Sequence, residues 1–128
     1  MTQENKELLL VDLCERLPYG VIVHFKGEYK KYHKVEEIDV RDEVVRCFEG
    51  MHLYEEGIIN CFPYLRPMSS MTEEERKELT EINCQGNLAE HKYAVFYRSQ
   101  DWLNAHHFDY RGLIEKGLAF EAPIEMYK

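Results

Sequence analysis

The sequence predicts a single α+β domain: an N-terminal helix, a small antiparallel, meander-like sheet, then helices and a short C-terminal strand. Three observations lead there. Apolar residues recur at helical spacing before Pro18, and from Val21 to Phe62 they alternate with period two in short runs. No gap between those runs is long enough for a crossover helix, which a parallel sheet would need. The 128 residues, 45% hydrophobic and 31% charged, suit one domain over 1–128 and are too apolar for a disordered chain.

The first helix spans about Glu4 to Leu17. Leu10, Leu13, Cys14 and Leu17 fall on one stripe, and Leu9 widens it. Glu4 and Glu7 stand in its first turn, where the macrodipole favours negative charge. Pro18-Tyr19-Gly20 ends it. Strands follow at Val21–Lys26, at about Tyr29–Val35 beyond Gly27, at Glu43–Glu49, at Met51–Glu55 between Gly50 and Gly57, and at Ile58–Phe62. Pro63 to Pro67 reads as an extended connection, because a residue before proline leaves the α region.

Thr72 and Glu75 form a capping box, and Glu73, Glu74 and Glu75 fill the first turn of a helix running to about Cys84. Leu79 and Ile82 give that helix a narrow apolar face, so a surface position is expected. Gln85-Gly86-Asn87 breaks it. Tyr93 to Tyr97 fits strand or helix equally, and Ser99 is placed to cap a helix reaching His106. The tail from Asp109 to Phe120 reads as a tight helical turn and then a strand.

Two of these stretches carry a resemblance. Residues 63–75, PYLRPMSSMTEEE, and residues 101–119, DWLNAHHFDYRGLIEKGLA, are similar to a group of small proteins without assigned activity from gut anaerobic bacteria and their phages or mobile elements. Helix 1 and the hairpin match in outline only. The resemblance brings no activity, cofactor or catalytic residue. It implies an accessory cytoplasmic role in a bacterial or phage setting.

Charge and motifs narrow the function classes. The formal net charge of −8 disfavours nucleic-acid binding, whose affinity rests on neutralising phosphates. Residues 26–34 hold four lysines against one glutamate, so setting aside that +3 leaves −11 on the remainder. The lysines alternate with Tyr29 and Tyr32, a pattern able to grip a polyanion, but strand geometry splits them between two faces. Lysines also guard an edge strand against aggregation. No apolar run is long enough to cross a bilayer, and the opening residues lack the basic start of a secretory signal, so a cytoplasmic location is expected. Cys14, Cys47, Cys61 and Cys84 make no C-x-x-C pair; the first three are expected as reduced thiols in the core.

Phosphate-loop, dinucleotide and nucleophile-elbow motifs are absent from the sequence. The candidate for chemistry is the segment Asn104–Arg111. His106, His107 and Asp109 there can act as a general base oriented by an acid, and His107 is the candidate metal ligand, with His91 or Glu90 as a distant partner. Adjacent residues of a helix do not share a face, so both imidazoles reach one ion only if the helix ends there. In the structural reading, the histidines finish a helix and Asp109 caps the next turn. Ser69 and Ser70 read as turn formers, and the three glutamates as a solvated first turn without an acid–base pair. Arg66, Trp102, Tyr110 and Arg111 are the candidate binding residues: Arg66 for an anion or for backbone carbonyls, Trp102 as a core anchor or an interface hot spot.

The resulting expectation is a non-catalytic interaction or regulatory protein without a cofactor or bound metal. It acts on an unidentified protein partner, in its sharpest form as an acidic inhibitor that imitates DNA. Exposed edges and many tyrosines permit a homodimer. The alternative is a small metal- or acid–base-dependent enzyme built on His106, His107 and Asp109.

Overall fold

The computed structural model describes residues 1–84 and 92–127, except for the Lys92 side chain. Helix α1 covers Gln3–Arg16, and the Thr2 hydroxyl caps it by accepting from the Asn5 amide at 3.1 Å. Leu17–Tyr19 forms a 3₁₀ turn, and Gly20 takes a left-handed φ of 72° that turns the chain into the sheet. There β1 (Ile22–Phe25) lies between β2 (His33–Lys34) and β6 (Cys61–Leu65), antiparallel to both. The last strand, β7 (Phe120–Glu121), joins β6 in parallel. A second sheet is an antiparallel meander of β3 (Glu37–Asp39), β4 (Val44–Glu49) and β5 (His52–Gly57). Helices α2 (Glu73–Cys84) and α3 (Lys92–Ala105) pack on one another, and α1 also touches α3.

This is the α+β domain that the periodicity predicts, with its strands divided between two sheets. The one parallel pair obeys the crossover rule, since α2 and α3 both lie between β6 and β7 in the chain. Val23, Phe25, Val45 and Cys61 turn inward from the sheets to meet Leu9 and Leu13 of α1 and Leu113 of the last segment. Burying each such side chain contributes about 1.5–3 kcal/mol relative to exposure. No described helix is long and apolar enough to cross a membrane.

Several element boundaries differ from the sequence reading, each for a local reason. Residues 29–32 do not pair. Tyr29 is fully exposed, so no packed face compensates for ordering a longer strand, and pairing is confined to His33 and Lys34. Ile58–Asn60 is a 3₁₀ turn, and the strand shifts to Cys61–Leu65, running straight through Pro63. The proline is tolerated because it stands opposite Val23 and β7 joins only from Tyr64 onward, so the ladder loses no donor. The three-residue strand β3 carries too short a pattern to register in the sequence. Tyr93–Tyr97 is helical, and α3 continues through Ser99, which is no cap; its hydroxyl instead lies 2.5 Å from Asn83 Oδ1 of α2. The expected break at Gln85-Gly86-Asn87 lies outside the described residues. Cys47 and Cys61 are buried, whereas Cys14 is half-buried at the side of α1.

Candidate functional site

The segment Asn104–Arg111 begins where α3 ends, and the way it ends decides what the histidines do. The Phe108 amide donates back to the Leu103 carbonyl at 3.0 Å, and the His107 amide to the Asn104 carbonyl at 3.0 Å. That is a Schellman motif with His107 in the left-handed position usually held by glycine, at φ 60°. The chain then leaves at an angle that sends the two imidazoles to different places. His107 is buried, donates Nε2–H to the Tyr19 carbonyl at 3.1 Å, and stacks on the Tyr127 ring at 3.7 Å between centroids. Burial and the nearby Arg16 charge push its pKa down to about 4, so the ring is neutral at pH 7. His106 stays half-buried, stacked 4.0 Å from Trp102, with Nδ1 2.9 Å from the Trp102 carbonyl. A carbonyl only accepts, so Nδ1 carries the proton and Nε2 is the acceptor of the neutral ring.

Asp109 is turned to yet another task. Its two carboxylate oxygens accept from the Leu113 and Ile114 amides at 2.8 and 2.9 Å and cap the tight turn that follows. His106, His107 and Asp109 therefore share a segment but not a site. Among the described residues, no group of three or more His, Cys, Asp and Glu side chains is placed to hold a metal. The distant ligands His91 and Glu90 lie outside the described residues.

Tyr110 and Arg111 enter a network that sequence reading missed. Asp12 and Arg16 are completely buried on α1, at 0% exposure each. Arg16 donates Nε–H to Asp12 at 2.9 Å and Nη2–H to the Phe108 carbonyl at 2.6 Å. Arg111 donates to the other Asp12 oxygen at 2.6 Å and makes a short contact with Glu15. The Tyr110 hydroxyl donates to Asn104 Oδ1 at 2.8 Å, and Asn104 Nδ2 reaches Glu15 at 3.3 Å. Burial pushes the Glu15 carboxyl up, but Arg111, Asn104 and Tyr110 outweigh it and hold the pKa below its ordinary value. The signal was in the sequence: Leu9, Asp12, Leu13 and Arg16 fall on one i, i+3, i+4, i+7 stripe, with opposite charges four residues apart. These side chains pin α1 to the end of α3.

Arg66 and Trp102 also differ from expectation. Arg66 does not bind backbone carbonyls through its side chain. Its guanidinium grips Glu75 with two hydrogen bonds of 2.7 Å and lies 4.1 Å over the Phe108 ring. Glu75 is thus an ion-pair partner as well as half of the capping box, which forms with both bonds near 3 Å. The Arg66 bonds, with the Thr72 amide, push its pKa down to about 2. Trp102 is half-buried and donates Nε1–H to Glu78 at 3.1 Å, tying α3 to α2 rather than anchoring the core.

Between the start of α2 and residues 121–127 lies a cleft of about 610 Å³. Pro67, Pro123, Ile124 and Tyr127 supply its apolar walls, and His106 and the Arg66–Glu75 pair its polar floor. Glu74 and Glu121 stand on it as well, with no ion-pair partner among the described residues. A second, smaller groove of about 270 Å³ runs past Glu15, Tyr19 and Tyr97. Comparison with known proteins matched no family model, no curated protein and no solved structure.

Proposed function

We propose that this protein is a non-catalytic interaction or regulatory module that binds a protein partner. One observation carries the reading. The 610 Å³ cleft has the size of a ligand site but no nucleophile–base pair among the described residues, because its reactive groups are already engaged within the fold. Arg66 is closed by Glu75, the Ser70 hydroxyl is 2.7 Å from the Pro67 carbonyl, and His106 commits Nδ1–H to the Trp102 carbonyl rather than to an orienting carboxylate. The nearby ionisable groups His107 and Asp109 serve the chain's own backbone. An enzyme built on His106, His107 and Asp109 needs these side chains to converge, so the interaction reading is preferred.

The accessory cytoplasmic role implied by the resemblance agrees with this reading, and the acidic composition favours a basic partner. The test is purification of the full chain from a bacterial host, with the mass of the eluted species measured in solution. The expected result is a saturable complex with one protein in fixed stoichiometry, weakened by salt. A chain that elutes free of any protein at low salt overturns the reading.

A further inference from the structure

We infer that the 610 Å³ cleft takes a basic side chain and its apolar neighbour from an extended peptide segment of the partner. The inference rests on the interaction-module reading and gives that reading a site. Charge complementarity carries it. Among the described residues, Arg66 is the sole lysine or arginine lining the cleft, and its charge is consumed by the two bonds to Glu75. Two further carboxylates then remain, Glu74 in the first turn of α2 and Glu121 on β7, both exposed. In its neutral ring His106 adds an acceptor, Nε2, because Nδ1–H is committed to the Trp102 carbonyl. A cleft offering two unpaired carboxylates and an acceptor selects an arginine or lysine and rejects a carboxylate or phosphate.

The apolar half of the ligand follows from the walls. Ile124 is 87% exposed at the cleft, beside Pro67 and Pro123. An isoleucine so exposed gains by covering, and an aliphatic side chain next to the basic residue supplies the cover. A free polyamine would satisfy the carboxylates but leave this wall open, so a peptide fits the cleft better.

The chain contains a single tryptophan, Trp102, stacked on His106 at the cleft, so its fluorescence reports occupancy directly. The full chain is titrated with a blocked Leu-Arg-Leu peptide, with the same peptide carrying glutamine for arginine, and with spermidine. The wild-type chain is expected to bind the arginine peptide saturably and roughly tenfold tighter than the glutamine peptide, with affinity falling as salt rises. Glu74→Gln/Glu121→Gln removes most of that preference. Both positions are exposed and have no ion-pair partner among the described residues, so circular dichroism should remain that of the wild type. Equal binding of the two peptides, equal binding of spermidine, or a preference that survives the double variant overturns the proposal. Failure of the broader reading has a different signature. A chain that still captures a stoichiometric partner equally well as the double variant refutes the cleft alone, whereas a chain that captures none refutes the interaction module itself.

Discussion

Two arginine-centred clusters in this fold differ in where they sit. Arg16, with Asp12, Glu15 and Arg111, is enclosed between α1 and the segment after α3. Arg46 lies on the face of the three-stranded sheet among Glu37, Asp39 and Glu55, with its Glu55 bond at 2.6 Å and the others at 3.7 and 3.8 Å. The first joins two guanidiniums to two carboxylates and the second sets one guanidinium among three, and both raise or lower pKa values in the directions expected of ion pairs. Water makes the difference. On the sheet, solvent solvates whatever loses its partner, so the cluster adds little stability. Inside, no such rescue exists, and each group depends on every other.

That contrast can be broken from its strong end. Asp12→Ala leaves the fully buried Arg16 without its carboxylate, and loss of about 3–5 kcal/mol is expected in urea unfolding. A loss below about 1 kcal/mol would place the cluster with the surface kind.

A pH titration reaches the same interior by another route. His107 titrates near 4 in the fold against an ordinary 6.5, so below 6.5 the unfolded chain takes up the proton first. The contribution of this group is complete above pH 6.5 and declines as pH falls toward 4, by roughly 3 kcal/mol. Asparagine tolerates the left-handed backbone, so His107→Asn should flatten that slope while remaining folded. An unchanged slope would show that His107 is solvated. Glu75, held down to about 2 by Arg66, adds a separate loss at lower pH, beginning near 4.5 and continuing toward 2. Glu75→Gln should remove that second phase and leave the first.

Smaller effects sharpen the comparison. The Tyr127 hydroxyl donates to the Tyr64 carbonyl at 2.7 Å and accepts from the Ile22 amide at 3.0 Å. Tyr127→Phe keeps the stacking on His107 but strands those groups, for an expected cost of about 1–2 kcal/mol by thermal or chemical denaturation. At the weak end, Arg46→Ala should leave the melting temperature unchanged within error, at low and at high salt alike. A clear drop there would mean that the sheet face is covered in solution.

Sequence periodicity made the elements legible wherever one residue did one job. The Thr72–Glu75 capping box and the alternation of Val23 and Phe25 appear as read, whereas the buried stripe of α1 runs through Leu9, Asp12, Leu13 and Arg16 and leaves the expected Leu10, Cys14 and Leu17 only half-buried. Legibility failed where a residue answered to something distant. Glu75 caps its own helix and grips Arg66, nine positions away, and nothing local announces the second task. Asp12 and Arg16 look like surface residues by type, yet Arg111, a hundred positions on, lets them go inside. His107 resembles a catalytic candidate by chemistry, while its backbone is that of a helix-terminating glycine. The cleft was invisible for the same reason: Glu74 and Glu121 come to line one cleft only after β7 joins β6.

The parallel pairing of β7 with β6, and the hydroxyl of Tyr127 on Ile22, have a consequence for how the chain is made. Translation delivers β1 early, but the groups that seal it arrive 105 residues later. Until then one side of β6 is an open strand edge, the kind of edge that recruits foreign strands. A chain that has made β6 but not yet docked β7 therefore carries an edge that the folded protein lacks, and self-association is expected to be greatest at that stage.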